Sequence, residues 1–365
     1  MKPGKIRVLI IDDSPFVRQS IARMISETPH IEVAGTVSGG VEAMKFLEKE
    51  KPDVITLDLE MPGMNGFVFL NWLMKNCPLP VLVVSSQNES QNVFKALELG
   101  ALEFISKPGR RATLELLNLK EELVKKIEII SKIPKGKIQR QAAIYSATPD
   151  EIGADVKQDL FLEGLRKGVR PRDPRRITIV VIGASTGGPA ALQLIVSSLP
   201  HDLQIPIVMV QHMPPNFTNS FAKRLDSLSQ LRVKEAEEGD QLTGGRIYVA
   251  PGGVHLTVKR SGGGNLFYLS AKEDKDLYTP SIDKTMVSIA DLYGDGTLGL
   301  ILTGMGNDGT EGIRRIKEKG GMTLAESEET AVVYGMPRVP VQLGMIDQIV
   351  PITEMASQVI RLCKS

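Results

Sequence analysis

The sequence predicts an α/β protein made of two doubly wound halves, and three observations carry that prediction. Short apolar runs rich in Val and Ile alternate with amphipathic, helix-length segments over the first 125 or so residues. The same alternation begins again at Ile177. Between the two lies a stretch with few apolar runs, scattered Pro and Gly and a basic end at Arg170–Arg176, the composition of a tether. The expected organisation is therefore a domain over 1–125, a linker over 126–174 and a second domain over 175–365. A chain of 365 residues is long enough for two or three separate cores.

In the first half, IRVLIID, EVAGTV, VITLDL, PVLVVSS and EFISKP read as five strands. FVRQSIARMISE and VEAMKFLEKEK between them have helical spacing. TLELLNLKEELVKKIEIISKI closes the domain as a helix with a stripe of Leu114, Leu117, Val124, Ile127 and Ile130. In the second half, ITIVVIGAS, IPIVMVQH, RIYVAP and TLGLILTGMG read as strands. HLTV and LFYLS flank KRSGGGN like a hairpin, which predicts a mixed, mostly parallel sheet.

Composition narrows the function. A net charge of +1 supplies no general reason to bind nucleic acid or an anionic membrane. The basic cluster at the end of the linker suits a solvated tether better than a nucleic-acid grip. Cys77 and Cys363 are too few for a disulfide framework or a cysteine metal cluster. KPGKIR leads straight into an apolar run ending at Asp12-Asp13, unlike a signal peptide, and no apolar stretch approaches a membrane span. A cytoplasmic protein without membrane insertion is expected.

Asp12 and Asp13 end the first strand, Asp58 the third, Ser85 the fourth and Lys107 the fifth. In an open parallel sheet these carboxyl ends share one edge, where ligands bind. One acid at a strand end is an ordinary loop residue; several converging on one edge repel one another unless a hard cation such as Mg²⁺ lies between them. A phosphoryl group on Asp58 would add about −1.5 to −2 charge, offset by Mg²⁺ and Lys107, with Ser85 able to hydrogen-bond to it. Asp12, Asp13, Asp58 in DLEMPGMNG, Ser85 in VVSS and Lys107 in SKP together resemble the response-regulator receiver domain, a flavodoxin-like five-stranded parallel sheet. The resemblance implies that Asp58 takes a phosphoryl group from the phosphohistidine of a partner histidine kinase. It implies Mg²⁺ held by Asp13, Asp58 and the carbonyl of Glu60, with Asp12 acting through water. It also makes Ser85 and Phe104 the switch positions.

The second half poses a different question at Gly183-Ala184-Ser185-Thr186-Gly187-Gly188-Pro189, where a buried strand turns into a helix. Taken alone, G-A-S-T-G fits a nucleophile elbow, a phosphate cradle or a plain glycine-rich turn. Partners decide. Of the four histidines, His30 lies in a loop of the first half, His201 follows a helix, and His255 begins a hairpin strand as a half-buried residue. His212 ends the apolar run IPIVMVQ, at the same sheet edge as Ser185. Asp308 follows TLGLILTGMGN; it could simply cap the next helix, yet it too is delivered to a strand's carboxyl end by a glycine-rich turn. Asp240, Asp283 and Asp291 lack that placement. Ser185, His212 and Asp308 thus form a candidate nucleophile, base and orienting acid for acyl transfer. The amides of Thr186 and Met305 are candidate oxyanion donors from their turn positions.

GASTGGP, QHMP, APGGVHL, PSIDKT, TGMGNDG and YGMPR, behind a receiver, resemble the chemotaxis protein-glutamate methylesterase (CheB) family. The resemblance implies a receiver linked to a doubly wound, mostly parallel α/β serine-hydrolase domain with Ser185, His212 and Asp308 as triad. It implies hydrolysis of glutamate methyl esters, and deamidation of glutamines, on the cytoplasmic helices of chemoreceptors. Mg²⁺ is then expected in the receiver and no cofactor in the hydrolase. If the receiver covers the Ser185 edge, phosphorylation of Asp58 would open it. A regulator with a DNA- or RNA-binding output would need a helix-turn-helix or a basic recognition face, and neither is present. A non-catalytic adaptor is opposed by the intact triad, and dinucleotide binding by the missing G-x-G-x-x-G spacing.

Overall fold

Val8, Leu9, Ile10 and Ile11 are buried because the strand they form, β1 (Ile6–Ile11), is covered on both faces, as continuous Val/Ile runs require. The computed structural model describes residues 4–86, 90–107, 113–146 and 176–364, and the chain divides into compact units Met1–Ser146 and Ala147–Ser365. Apart from Arg176, the basic cluster expected in the linker lies outside the described residues, as do residues 147–175 generally.

In the first unit, β1 is followed by α1 (Pro15–Ser26), β2 (Ile31–Val37), α2 (Gly40–Lys49), β3 (Val54–Asp58) and α3 (Gly66–Asn76). Then come β4 (Val81–Ser85), α4 (Ser90–Glu98), β5 (Glu103–Ser106), α5 (Thr113–Ile130) and α6 (Lys135–Ser146). The strands pair in parallel in the order β2-β1-β3-β4-β5. The chain winds from β1 to β2 and then crosses to β3, so the crevice between β1 and β3 is the switch point of the sheet. Ser14 caps α1 by accepting the Val17 amide, with Pro15 in the first turn, and this local signal ends the loop that carries Asp12 and Asp13. The closing helix turns Leu123, Ile127 and Ile130 inward and continues past residue 125.

In the second unit, β6 (Ile179–Ala184), α7 (Gly188–Ser197), β7 (Ile207–Gln211) and α8 (Phe217–Leu228) come first. They precede β8 (Arg232–Glu235), β9 (Arg246–Val249), β10 (Val254–Ser261), β11 (Gly264–Ala271) and α9 (Ile282–Tyr293). β12 (Thr297–Ile301), α10 (Thr310–Glu318), β13 (Met322–Glu326), α11 (Arg338–Gln342), β14 (Gln348–Val350) and α12 (Ile352–Cys363) complete it. Seven strands run in the order β14-β13-β12-β6-β7-β9-β8, and each pairing is parallel. The expected hairpin exists, but β10 and β11 form a two-stranded antiparallel sheet of their own, so the main sheet is not mixed. The reason is packing: Leu256, Val258 and Phe267 bury one face of the hairpin in the core beside Met286 and Ile289 of α9, and it covers the sheet instead of joining it. β8 (RVKE), β13 (MTLAE) and β14 (QIV) are short and, with polar residues in each, do not stand out as apolar runs. Among the described residues no helix is long and apolar enough to cross a membrane.

Candidate functional site

Ser185 lies just past β6, His212 just past β7 and Asp308 in the turn after β12, which are the three adjacent central strands of the sheet. The chain winds from β6 towards β7 and later returns on the other side as β12, so the switch point lies between β6 and β12. The backbone holds the turns in register. Ser185 N donates to Thr303 O (3.0 Å) and His212 N to Ala184 O (3.1 Å). Gly187, with φ of 78°, makes the left-handed turn that admits α7, whose first turn contains Pro189.

The side chains meet in a line. His212 Nδ1 lies 3.2 Å from Ser185 Oγ, and His212 Nε2 lies 2.8 Å from Asp308 Oδ2. Asp308 is buried and accepts from Ser281 Oγ (3.1 Å), Ile282 N (2.8 Å) and Asp283 N (3.0 Å) as well. Burial pushes its pKa up, but the hydrogen bond and charge of His212, together with these amides, hold it below the usual carboxylate range. An ionised carboxylate only accepts, so Nε2 donates to Asp308 and Nδ1 turns its lone pair to the serine hydroxyl. Asp308 is not the N-cap of the helix that follows it, since Gly309 occupies that position. It caps α9 across the site instead. Asp283, in the first turn of α9, returns the arrangement: its Oδ1 accepts Gly309 N (2.9 Å) and Gly312 N (2.7 Å) at the start of α10. Burial, then the neighbouring charge of Asp308, pushes Asp283 up to about 7.

Three residues here had no chemistry attached in the sequence. Buried Gln211 donates from Nε2 to Ser185 O (2.9 Å) and His212 O (3.0 Å), clipping the two turns together. The Tyr278 ring stacks on the His212 imidazole, with centroids 4.4 Å apart and planes 3° apart. Asp283 lacks the placement at a strand's carboxyl end that marks the triad candidates in the sequence. QHMP and PSIDKT contain two of the three, and that was the available signal. Thr186 O accepts from Thr303 Oγ1 (2.8 Å), while the amides of Thr186 and Met305 donate no hydrogen bond to other described residues. Gly304 comes so close that a Cβ there would fall 2.8 Å from Ser185 Cβ, which brings the peptide leading into Met305 alongside the serine.

The other candidates are engaged elsewhere. His30 pairs with Glu128, Asp240 with Lys234 and Asp291 with Arg315, and His201 is exposed. His255 is fully buried rather than half-buried and bonds to Asp276.

In the first unit, Asp12, Asp13 and Asp58 bring carboxylate oxygens within 4.8 Å of one another, Asp12 and Asp58 buried and Asp13 exposed. Lys107 Nζ lies 2.8 Å from Asp58 Oδ1, which also accepts Glu60 N (3.2 Å). Asp12 is pushed up to about 6, first by burial and then by the charge of Asp58. Its Oδ1 accepts Ser14 N, whereas its Oδ2 is buried without a hydrogen-bond partner. Three convergent carboxylates and one buried oxygen lacking a donor fit a hard divalent cation. Ser85 is buried at the end of β4, and Phe104 is buried edge-on against Phe94 with Lys126 above its ring.

Comparison with known proteins finds relatives of both units. The CheB methylesterase family model matches residues 180–359 and the response regulator receiver domain model matches residues 8–117. The chain is 41% identical to a protein-glutamate methylesterase/protein-glutamine glutaminase of Pyrococcus abyssi, over 98% of this chain and 93% of that one. It is 40% identical to a protein-glutamate methylesterase/protein-glutamine glutaminase of Geobacter sulfurreducens, over 98% of each. Among solved structures, the Thermotoga maritima CheB methylesterase catalytic domain is 45% identical, with a TM-score of 0.50, covering 51% of this chain and 98% of that one.

Proposed function

We propose how catalysis and control are divided in a chain that belongs to the protein-glutamate methylesterase/protein-glutamine glutaminase family, a hydrolase with a response regulator receiver domain. Ser185 is the nucleophile. Its Oγ attacks the side-chain carbonyl carbon of a glutamate methyl ester as Nδ1 of His212 takes the hydroxyl proton. The charge that develops on the carbonyl oxygen is met by the amides of Thr186 and Met305. The imidazolium then returns its proton to the departing methoxide, and methanol leaves an acyl-enzyme on Ser185. Water, deprotonated by His212, cleaves that ester to release glutamate and restore the serine. A glutamine side chain follows the same path with ammonia as leaving group. Asp308 keeps its charge throughout, holds the proton on Nε2 and stabilises the imidazolium. The substrates are the cytoplasmic helices of chemoreceptors, so the protein acts in the cytoplasm.

The receiver supplies control. Asp58 accepts a phosphoryl group from a histidine kinase, and Lys107 and Ser85 bind its oxygens. Asp13, Asp58 and the Glu60 carbonyl would hold Mg²⁺, with Asp12 behind a water, and the ion would neutralise charge during transfer. Phe104 lies buried beside Ser85's strand and is the side chain that would respond to Ser85. The modification raises hydrolase activity.

The single observation that carries the catalytic reading is the Ser185–His212–Asp308 line at the carboxyl ends of three adjacent strands. Methanol and ammonia release from a methylated receptor fragment tests it, comparing the protein with Ser185→Ala, each with and without Mg²⁺ and a small phosphodonor. Release by the unaltered protein only, raised by the phosphodonor, is expected. Release surviving in Ser185→Ala would reassign the nucleophile.

A further inference from the structure

The reaction leaves unused a titratable cluster of the second unit built on a buried histidine. His255 in APGGVHL is fully buried, its Nε2 2.7 Å from Asp276 Oδ2. Lys284 of PSIDKT lies 2.8 Å from the other oxygen of Asp276, and Glu273 N donates to the same carboxylate (2.8 Å). The second nitrogen of His255 accepts Ser281 N (3.2 Å), which places the proton on Nε2. Ser281 Oγ in turn donates to Asp308. A partly exposed ion pair such as Asp276–Lys284 contributes little net stability, so its worth is in the geometry it imposes.

We propose that Tyr278 is a positioning residue for the His212 imidazole, and that His255, Asp276 and Lys284 form the latch that holds its loop in place. The segment between β11 and α9 has no regular structure, and its Leu277 is 85% exposed, yet the next residue keeps its ring parallel to an imidazole. A free loop would not hold such a stack. Asp276, two residues earlier, is where the latch grips the loop, and Ser281, three residues later, ties it to Asp308. The hydroxyl end of Tyr278 also packs over the turn that leads from Met305 to Asp308, 2.7 Å from where a Cβ of Gly306 would stand. Two in-plane hydrogen bonds fix where the nitrogens of His212 point, and the stacked face resists tilting of the ring. As the imidazole takes the serine proton, the aromatic face also favours the cation.

This inference rests on the triad reading, and two measurements on the full-length protein separate the two. The first is the proton spectrum of histidine-labelled protein, in which a face-stacked ring shields the imidazole protons of His212. With four histidines the signals are few. Tyr278→Leu and Asp276→Ala should each move the His212 signals downfield, and Tyr278→Phe should not. The second is kinetics: Tyr278→Leu should lower kcat about tenfold with KM within about twofold, and Tyr278→Phe should restore it. The double variant Asp276→Ala/Tyr278→Leu should be no slower than Tyr278→Leu, because the latch acts through the ring. Unshifted His212 signals in Tyr278→Leu, equal kcat for Leu and Phe, or additive losses in the double variant would each overturn the proposal. The spectrum reads the stack whether or not Ser185 is the nucleophile; activity retained in Ser185→Ala would fault the triad alone.

Discussion

The two sites occupy the same address in two different sheets. Each lies at the carboxyl ends of parallel strands, at the point where the strand order reverses: β1 and β3 in the receiver, β6 and β12 in the hydrolase. Their electrostatics are opposite. In the receiver, three acids converge, Asp12 is pushed up to about 6, and a buried oxygen lacks a donor. In the hydrolase, Asp308 meets four donors and is held below its ordinary range. In the proposed reading the first site gains charge from outside, as a cation and a phosphoryl group. The second is already organised around the charge it will stabilise. A switch needs an unmet demand, whereas a catalyst needs its dipoles in place before the substrate arrives.

That contrast can be broken at several points. The largest effect is expected from Asp308→Asn, which keeps the shape but not the charge that fixes the proton on Nε2. Its kcat should fall about 10³–10⁴-fold, and a loss below about tenfold would mean that the carboxylate is only a helix cap. Asp58→Asn should retain basal hydrolysis but lose the stimulation by Mg²⁺ and phosphodonor, about 5–150-fold for a typical coupling. Stimulation that persists would place the phosphoryl group elsewhere. Gln211→Leu removes the clip between the Ser185 and His212 turns, and a kcat about tenfold lower with little change in KM is expected from the misalignment.

The smallest effect is on stability and concerns Asp283. Its folded pKa, about 7, lies above its unfolded value. Between roughly pH 4 and 7 the folded state therefore holds the extra proton, and stability falls as pH rises through that window. Asp283→Asn keeps an acceptor for Gly309 and Gly312 and removes the charge. It should flatten that slope and be more stable than the unaltered protein at pH 8, by on the order of 1 kcal/mol. Thermal unfolding at pH 5 and pH 8 measures this, and parallel pH profiles for the two proteins would refute it.

Much of this was legible in one dimension because the signals are local. Val and Ile runs mark buried strands, glycine-rich turns mark the strand ends, and in a parallel sheet those ends must share an edge. Ser185, His212, Asp58 and Lys107 could therefore be placed at sheet edges without coordinates. The hairpin could be read from KRSGGGN, but not its separation from the main sheet, because that depends on which face Phe267 buries. Asp308 lies 96 residues from His212, and sequence could put both on one edge without saying which ring nitrogen faces which partner. The contacts of Tyr278 and Gln211 and the exchange of caps between Asp283 and Asp308 are hidden from sequence for the same reason. Each acts by touching a residue on another element, and such contacts are decided by how helices and loops pack. The sequence determined the architecture, the two sheet edges and the chemistry of the groups delivered to them. Only the tertiary structure decided how those groups are aimed, since hydrogen-bond direction and ring stacking are set to within fractions of an ångström by packing between distant segments.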